Sequence, residues 1–178
     1  MASRVILLVG CAGSGKSTYA RQQFPGAPIV TADQFFERLA KRFKRTYGQV
    51  FDVRKLRDAH SQCEQEFMAA IVRETPIMVV DNTNVQAADR QRYLKMATEL
   101  GCTTELHVLS PWMHGSPAPS PEEIVNYVRH CHERNIHGVP LGVVTQQFVN
   151  LDLPSGIYLT GKPPQFLGPL PIAIEHKI

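Results

Sequence analysis

Residues 4–17 read RVILLVGCAGSGKS: an apolar run, then glycines at 10, 13 and 15, then a lysine and a serine. No other stretch constrains the fold so tightly. An apolar run without polar alternation suits a strand covered on both faces, as in a parallel sheet. Glycines behind such a strand let successive backbone N–H groups turn toward one centre. A helix opening directly after them adds favourable partial charge for an anion. Gly10 to Ser17 matches G-x-x-x-x-G-K-[ST] in full, in the strand–loop–helix setting that the motif needs. The motif predicts a nucleoside triphosphate site. Gly10, Cys11, Ala12, Gly13, Ser14 and Gly15 would wrap the phosphates, with Thr18 just behind them. Lys16 would bridge the outer phosphates, and Ser17 would ligate Mg²⁺.

The rest of the chain repeats the alternation. APIVTA reads as a second strand, TPIMVVDNTN as a third, TTELHVLS as a fourth and GIYLTG (156–161) as a fifth. Helical patterns fall between them: 15–24, Asp33 to about Lys44, Val53 to about Arg73, and Val85 to Leu100. The third has Leu56, Ala59, His60, Cys63, Phe67 and Ile71 at helical spacing. PEEIVNYVRHCHERN opens with proline and acids, as helix starts do, and Val139 to Asn150 is a further short helix. The fold class expected is therefore α/β, a five-stranded parallel sheet covered on both faces. Residues 1–160 form one domain, with a lid at about 121–148. Residues 161–178, with four prolines and no regular period, read as a tail or linker.

Bulk properties exclude little but agree. The chain has 178 residues, 43% of them hydrophobic, enough for one real core. No apolar run reaches the length of a membrane span, so no membrane partner is expected. MASRVILLVG is basic then apolar, but too short for a secretory leader and without a suitable cleavage site. Cys11, Cys63, Cys102 and Cys131 lack paired spacing, which fits a reducing, intracellular compartment, cytoplasmic or nuclear. His130, Cys131, His132 and His137 match no common zinc pattern, and Trp112 reads as a packing residue.

In open α/β sheets, ligands bind beyond the C-terminal ends of the strands. Three strands here end in polar residues: Gly10, Asp33 and Asp81. Asp33, in TADQFF, has two readings. It caps the following helix, as Asp often does, or it faces the γ-phosphate and accepts the proton of an attacking hydroxyl. Asp81, in DNTN, is expected near Mg²⁺ with Ser17, while Thr83 and Asn84 fix the local backbone or touch the acceptor. Residues 38–57 carry Arg38, Lys41, Arg42, Lys44, Arg45, Arg54, Lys55 and Arg57 against one acid, Asp52, with Phe43, Tyr47 and Phe51 interleaved. Charge for phosphates and flat rings for bases suit single-stranded nucleic acid. A solvated helix face is the plainer alternative.

GSGKST, TADQFF, AH at 59–60, DNTN and RNIHGVP together resemble the 5′-hydroxyl polynucleotide kinase group of P-loop phosphotransferases, most nearly kinase-like domains of the NEDD4-binding-protein-2 type. The resemblance covers about Val5 to Asn150. It implies a P-loop kinase fold, an adenylate-kinase-like three-layer core with a helical lid. It implies transfer of the γ-phosphoryl group of ATP or another NTP to a 5′-hydroxyl end of RNA or DNA. Lys16, Asp33 as general base and Arg134 as lid arginine would carry catalysis, Arg134 also touching nucleotide. Phage-type kinases hold an arginine three residues after the base. That position is Phe36 here, so Phe36, Arg38 and Asn84 are the acceptor-binding residues expected. Such kinase modules often belong to larger multidomain end-healing proteins. A small-molecule kinase and a non-catalytic nucleotide-binding scaffold are the competing readings.

Overall fold

The computed structural model describes residues 3–111, 119–151 and the strand at 173–176. The elements are β1 (Arg4–Val9), α1 (Lys16–Gln23), β2 (Ile29–Val30), α2 (Asp33–Phe43), α3 (Tyr47–Val50), α4 (Leu56–Val72), β3 (Ile77–Val80), α5 (Ala87–Glu99), β4 (Thr103–Val108), α6 (Pro121–Arg134), α7 (Leu141–Val149) and β5 (Ala173–His176). A 3₁₀ turn at Val53–Lys55 leads into α4.

The sheet runs β2-β3-β1-β4-β5. Its first four strands are parallel, with Leu7 opposite Val80 on one side and Leu106 on the other. Val5 to Val9 are fully buried, as the unalternated run requires. Each such side chain contributes roughly 1.5–3 kcal/mol. Side chains alternate between two cores. Val5, Leu7 and Val9 meet Cys63, Phe67 and Ile71 of α4 and Tyr93 and Ala97 of α5. Ile6 and Leu8 meet Tyr19 and Ala20 of α1. The result is a three-layer α/β/α sandwich.

Two expectations need correction. The fifth strand is antiparallel: β5 pairs with β4, Ala173 opposite His107 and His176 opposite Thr104. It comes from the segment read as irregular, where four residues among prolines are too few to display a period. The second is α3, absent from the sequence reading. Its four residues carry no apolar repeat, and the turn is held partly by the Thr46 N–H donating to Gln49 Oε1 at 2.9 Å. GIYLTG, Trp112 and most of the proline-rich loop lie outside the described residues.

Helices α6 and α7, the segment expected to act as a lid, follow their local chemistry. Ser120 caps α6: Glu123 N–H donates to its Oγ at 3.2 Å, and its own N–H donates to Glu123 Oε2 at 2.7 Å. Pro121 at the first position lacks an N–H that the helix could not use. Val128 and Cys131 of α6 and Val144 of α7 bury a small core against Cys11. The lid therefore rests directly on the glycine loop.

Candidate functional site

The glycine loop is wound as its sequence demands. Gly15 adopts φ 96° immediately before α1, and Gly13 has φ 77°. Only glycine takes such values without strain. A Cβ on Gly13 would stand 1.8 Å from the Cys131 carbonyl oxygen, so loop and lid pack backbone to backbone. Lys16 is buried, its Nζ donating to the carbonyls of Gly10 and Cys11, both at 2.9 Å. The Ala12 N–H donates to Gln147 Oε1 of α7 at 2.9 Å. Ser17 and Thr18 are exposed at the helix start. The buried Cys131 hydrogen-bonds Cys11, which draws the Cys11 thiol down to about 7.

DNTN is the connector of the site, each residue holding a different part. Asp81 is buried, and its N–H reaches Val30 O at 2.9 Å. Asn82 Oδ1 accepts from Ala32 N–H at 2.8 Å, fixing the entry to α2. Thr83 O accepts from Gly10 N–H at 3.0 Å. Asn84, at φ 48°, donates from Nδ2 to Leu8 O at 2.8 Å. Arg90, which sequence reasoning missed, is buried beneath and donates to the carbonyls of Asn84 and Val85 at 2.8 and 3.0 Å. Burial pushes the Asp81 carboxyl above the ordinary carboxylate range, with Lys16 and Ser17 pulling the other way. Asp81 Oδ1 and Ser14 Oγ are buried without a hydrogen-bond partner. Such atoms call for a ligand, an ion or water.

Asp33 does not cap α2. The Thr31 hydroxyl takes the Asp33 N–H at 3.2 Å instead. The Asp33 side chain is 43% exposed. Its Oδ1 accepts from the Tyr47 hydroxyl at 2.5 Å, and its Oδ2 lies 3.5 Å from His137 Nδ1. His137 Nε2 is also 3.3 Å from Glu37. Burial, then the Asp33 charge, push the Tyr47 hydroxyl above the ordinary tyrosine range, so it stays protonated and donates. Tyr47 and His137 were singled out by no motif for this place. The signal was present in RNIHGVP, which fixes His137 at the turn between α6 and α7.

The three residues expected to bind acceptor are not gathered at Asp33. Phe36 is 1% exposed, packed among Ala32, Ala59 and the rings of Phe35, Tyr47 and Phe51. It completes the core where a longer arginine would have to reach out. Arg38 is paired with Glu66 of α4 and Gln34 on the outer face of α2. Asn84 spends its side chain on Leu8. Arg134 is exposed at the end of α6, its Nη1 3.3 Å from His130 Nε2.

A glycine-loop nucleotide site at the C-terminal edge of a parallel sheet, packed against helices α6 and α7, defines a P-loop kinase fold, the architecture of nucleotide-dependent phosphotransferases. The family model described as AAA domain matches residues 5–112, and the chain belongs to that family. It is 26% identical over 159 residues to human NEDD4-binding protein 2, covering 84% of this chain but only 8% of that relative's length. The fold is also that of a chain in the solved structure of a Pnkp1/Rnl/Hen1 complex, with TM-score 0.51 and 23% identity over 74% of this chain and 40% of the other. A gluconokinase from Sinorhizobium meliloti 1021 aligns with TM-score 0.44 and 18% identity, over 87% of this chain and 77% of that one. Members of this kind of P-loop kinase use ATP or another NTP with Mg²⁺. No helix among the described residues is long and apolar enough to cross a membrane.

Proposed function

We propose that this chain transfers the γ-phosphoryl group of ATP, or another NTP, to the 5′-hydroxyl end of a nucleic acid. The observation that carries the reading is the state of Asp33. Its carboxylate makes no capping bond to α2 and is half exposed, at the sheet edge that also holds Lys16 and Asp81. A carboxylate so held suits proton acceptance from an alcohol. The match of GSGKST, TADQFF, DNTN and RNIHGVP to 5′-hydroxyl polynucleotide kinases supports this acceptor class.

The residues fit the donor. Orphaned Ser14 Oγ lies within the loop that would cradle phosphates, and orphaned Asp81 Oδ1 lies under it. Ser17 would hold Mg²⁺ with Asp81 behind it, and the bound ion would supply charge neutralisation across the outer phosphates. Lys16 would leave the Gly10 and Cys11 carbonyls for phosphate oxygen. Asp33 would take the acceptor proton as the new O–P bond forms and the bond from the γ-phosphorus to its bridging oxygen breaks. Arg134, at the lid end, would meet the developing charge. The reading includes nucleic-acid ends as partners and a larger multidomain setting.

The test is γ-labelled ATP with Mg²⁺ and 5′-hydroxyl RNA and DNA oligonucleotides, beside Asp33→Ala. Label at the 5′ end, lost in the variant, supports the reading. Nucleotide bound with no label on either polymer overturns it, and label on a small-molecule alcohol would then make the chain a metabolite kinase.

A further inference from the structure

Removing Phe36, Arg38 and Asn84 from the acceptor site leaves open where a strand would lie. We infer that single-stranded nucleic acid is held in the groove between α2 and the α3–3₁₀ segment, with its end directed along Tyr47 to Asp33. This rests on the polynucleotide reading above.

The groove is open and about 690 Å³, lined by Leu39, Phe43, Arg45, Phe51, Val53 and Lys55. Two of its three lining cations, Arg45 and Lys55, are uncommitted, and Lys44 stands beside Arg45 in the chain. Arg54 is neutralised by Asp52 at 2.9 Å, and Arg42 lies over the Phe43 ring at 5.6 Å. No ion pair among the described residues engages Lys44, Arg45 or Lys55. All three are exposed, and Asp52 is the only acid between residues 38 and 57.

Its rings are available too. Phe43 is 57% and Phe51 41% exposed, large apolar faces that a solvated helix surface does not require. They also continue into the catalytic region. Phe51 stacks on Tyr47 with planes 20° apart and centroids 5.8 Å apart. Tyr47 stacks on His137 at 18° and 4.1 Å, and the Tyr47 hydroxyl reaches Asp33. A ladder of flat rings thus joins a free cationic groove to the carboxylate proposed to accept the hydroxyl proton. Backbone phosphates on Lys44, Arg45 and Lys55 and unstacked bases on exposed rings are the chemistry of single-strand binding. A duplex keeps its bases stacked away from such rings.

The experiment measures binding of a 3′-fluorescein, 5′-hydroxyl 12-mer RNA by anisotropy across a salt series, with the matching duplex in parallel. The variants are Lys44→Glu/Arg45→Glu/Lys55→Glu, Phe43→Ala, and Arg73→Glu at the far end of α4 as a charge control. The triple variant is expected to bind at least tenfold more weakly, with the slope of log K against log salt shallower by about 2. Phe43→Ala should weaken single-strand binding about tenfold and leave duplex binding unchanged, while Arg73→Glu should bind the 12-mer like the wild type. Binding to the 12-mer unaffected by the triple variant, or loss shared equally by the duplex in Phe43→Ala, overturns the inference. Label transfer separates the two ideas. If a 5′-hydroxyl dinucleotide and the 12-mer are phosphorylated with equal KM, the kinase reading stands and the groove falls. If neither is labelled while 12-mer binding is lost in the triple variant, the groove stands and the kinase reading falls.

Discussion

The imidazole of His137 lies 4.1 Å from the ring of Tyr47, nearly parallel at 18°, so the lid meets the core directly beside Asp33. The contact joins the turn between α6 and α7 to the surroundings of one carboxylate. Two substitutions separate its parts. Tyr47→Phe keeps the ring and removes the hydrogen bond to Asp33, while His137→Ala removes the lid's half of the stack. Each is expected to lower kcat about tenfold, the worth of roughly 1.4 kcal/mol, with KM for ATP moved less than twofold. Steady-state kinetics with ATP and acceptor varied separately check this. A rise in KM for ATP with kcat intact would mean that the contact serves only the nucleotide.

Asp33 itself is expected to matter far more. Asp33→Asn preserves shape and removes the base, so turnover should fall by about 10²–10⁴-fold. ATP binding, read by calorimetry, should stay within about twofold. Because the Asp33 side chain makes no capping bond to α2, the melting temperature should change little, which a capping role would not allow.

Asp81 gives a prediction with a sign. Its carboxyl is raised in the folded protein by burial, so the native state holds the proton more tightly than the unfolded chain. Below the ordinary carboxylate range both states are protonated and the group's contribution is intact. As pH rises through the native value, that contribution is lost. Asp81→Asn should therefore raise the melting temperature at neutral pH by a few degrees, at about 2–4 °C per kcal/mol, and flatten the decline of stability above about pH 4. The same variant should gain less stability than the wild type from ATP with Mg²⁺. Thermal melts with and without both ligands measure each effect.

Gly13 offers a steric test. Gly13→Ala sets a Cβ against the Cys131 carbonyl and demands φ 77° of an alanine. The lid must lift or the loop unwind. Expected results are a stability loss of about 1–3 kcal/mol and ATP affinity reduced at least tenfold. Chemical denaturation and calorimetry read these independently.

The reassigned residues can be checked as well. Arg38→Ala breaks only its contacts with Glu66 and Gln34 on an exposed face, so acceptor KM should shift less than twofold. Asn84→Ala leaves a buried Leu8 carbonyl without its donor and should cost about 1–3 kcal/mol of stability.

What the sequence conveyed depended on how local each feature was. The loop from Gly10 to Ser17 was legible because its conformation is set by its own glycines and the strand before it. The same holds for α6, whose cap and proline are adjacent in the chain. Phe36 was misread because its neighbours, Ala59 and Phe51, come from other segments, and no spacing announces that a ring is enclosed. The pairing of Arg38 was hidden for the same reason, since Glu66 lies on another helix. The place of His137 needed the lid to fold back onto α2, a tertiary event. β5 was hidden because an edge strand of four residues borrows its register from β4.

The four residues of DNTN bind, in turn, β2, the start of α2, the glycine loop and β1. Glycine loop and Asp33 are thus both indexed to one short template, to which α6, α7 and the turn between them add their own contacts with each. On the proposed kinase reading, evolution can exchange the outer helical faces, and with them the acceptor alcohol, while this template keeps the glycine loop and Asp33 in place.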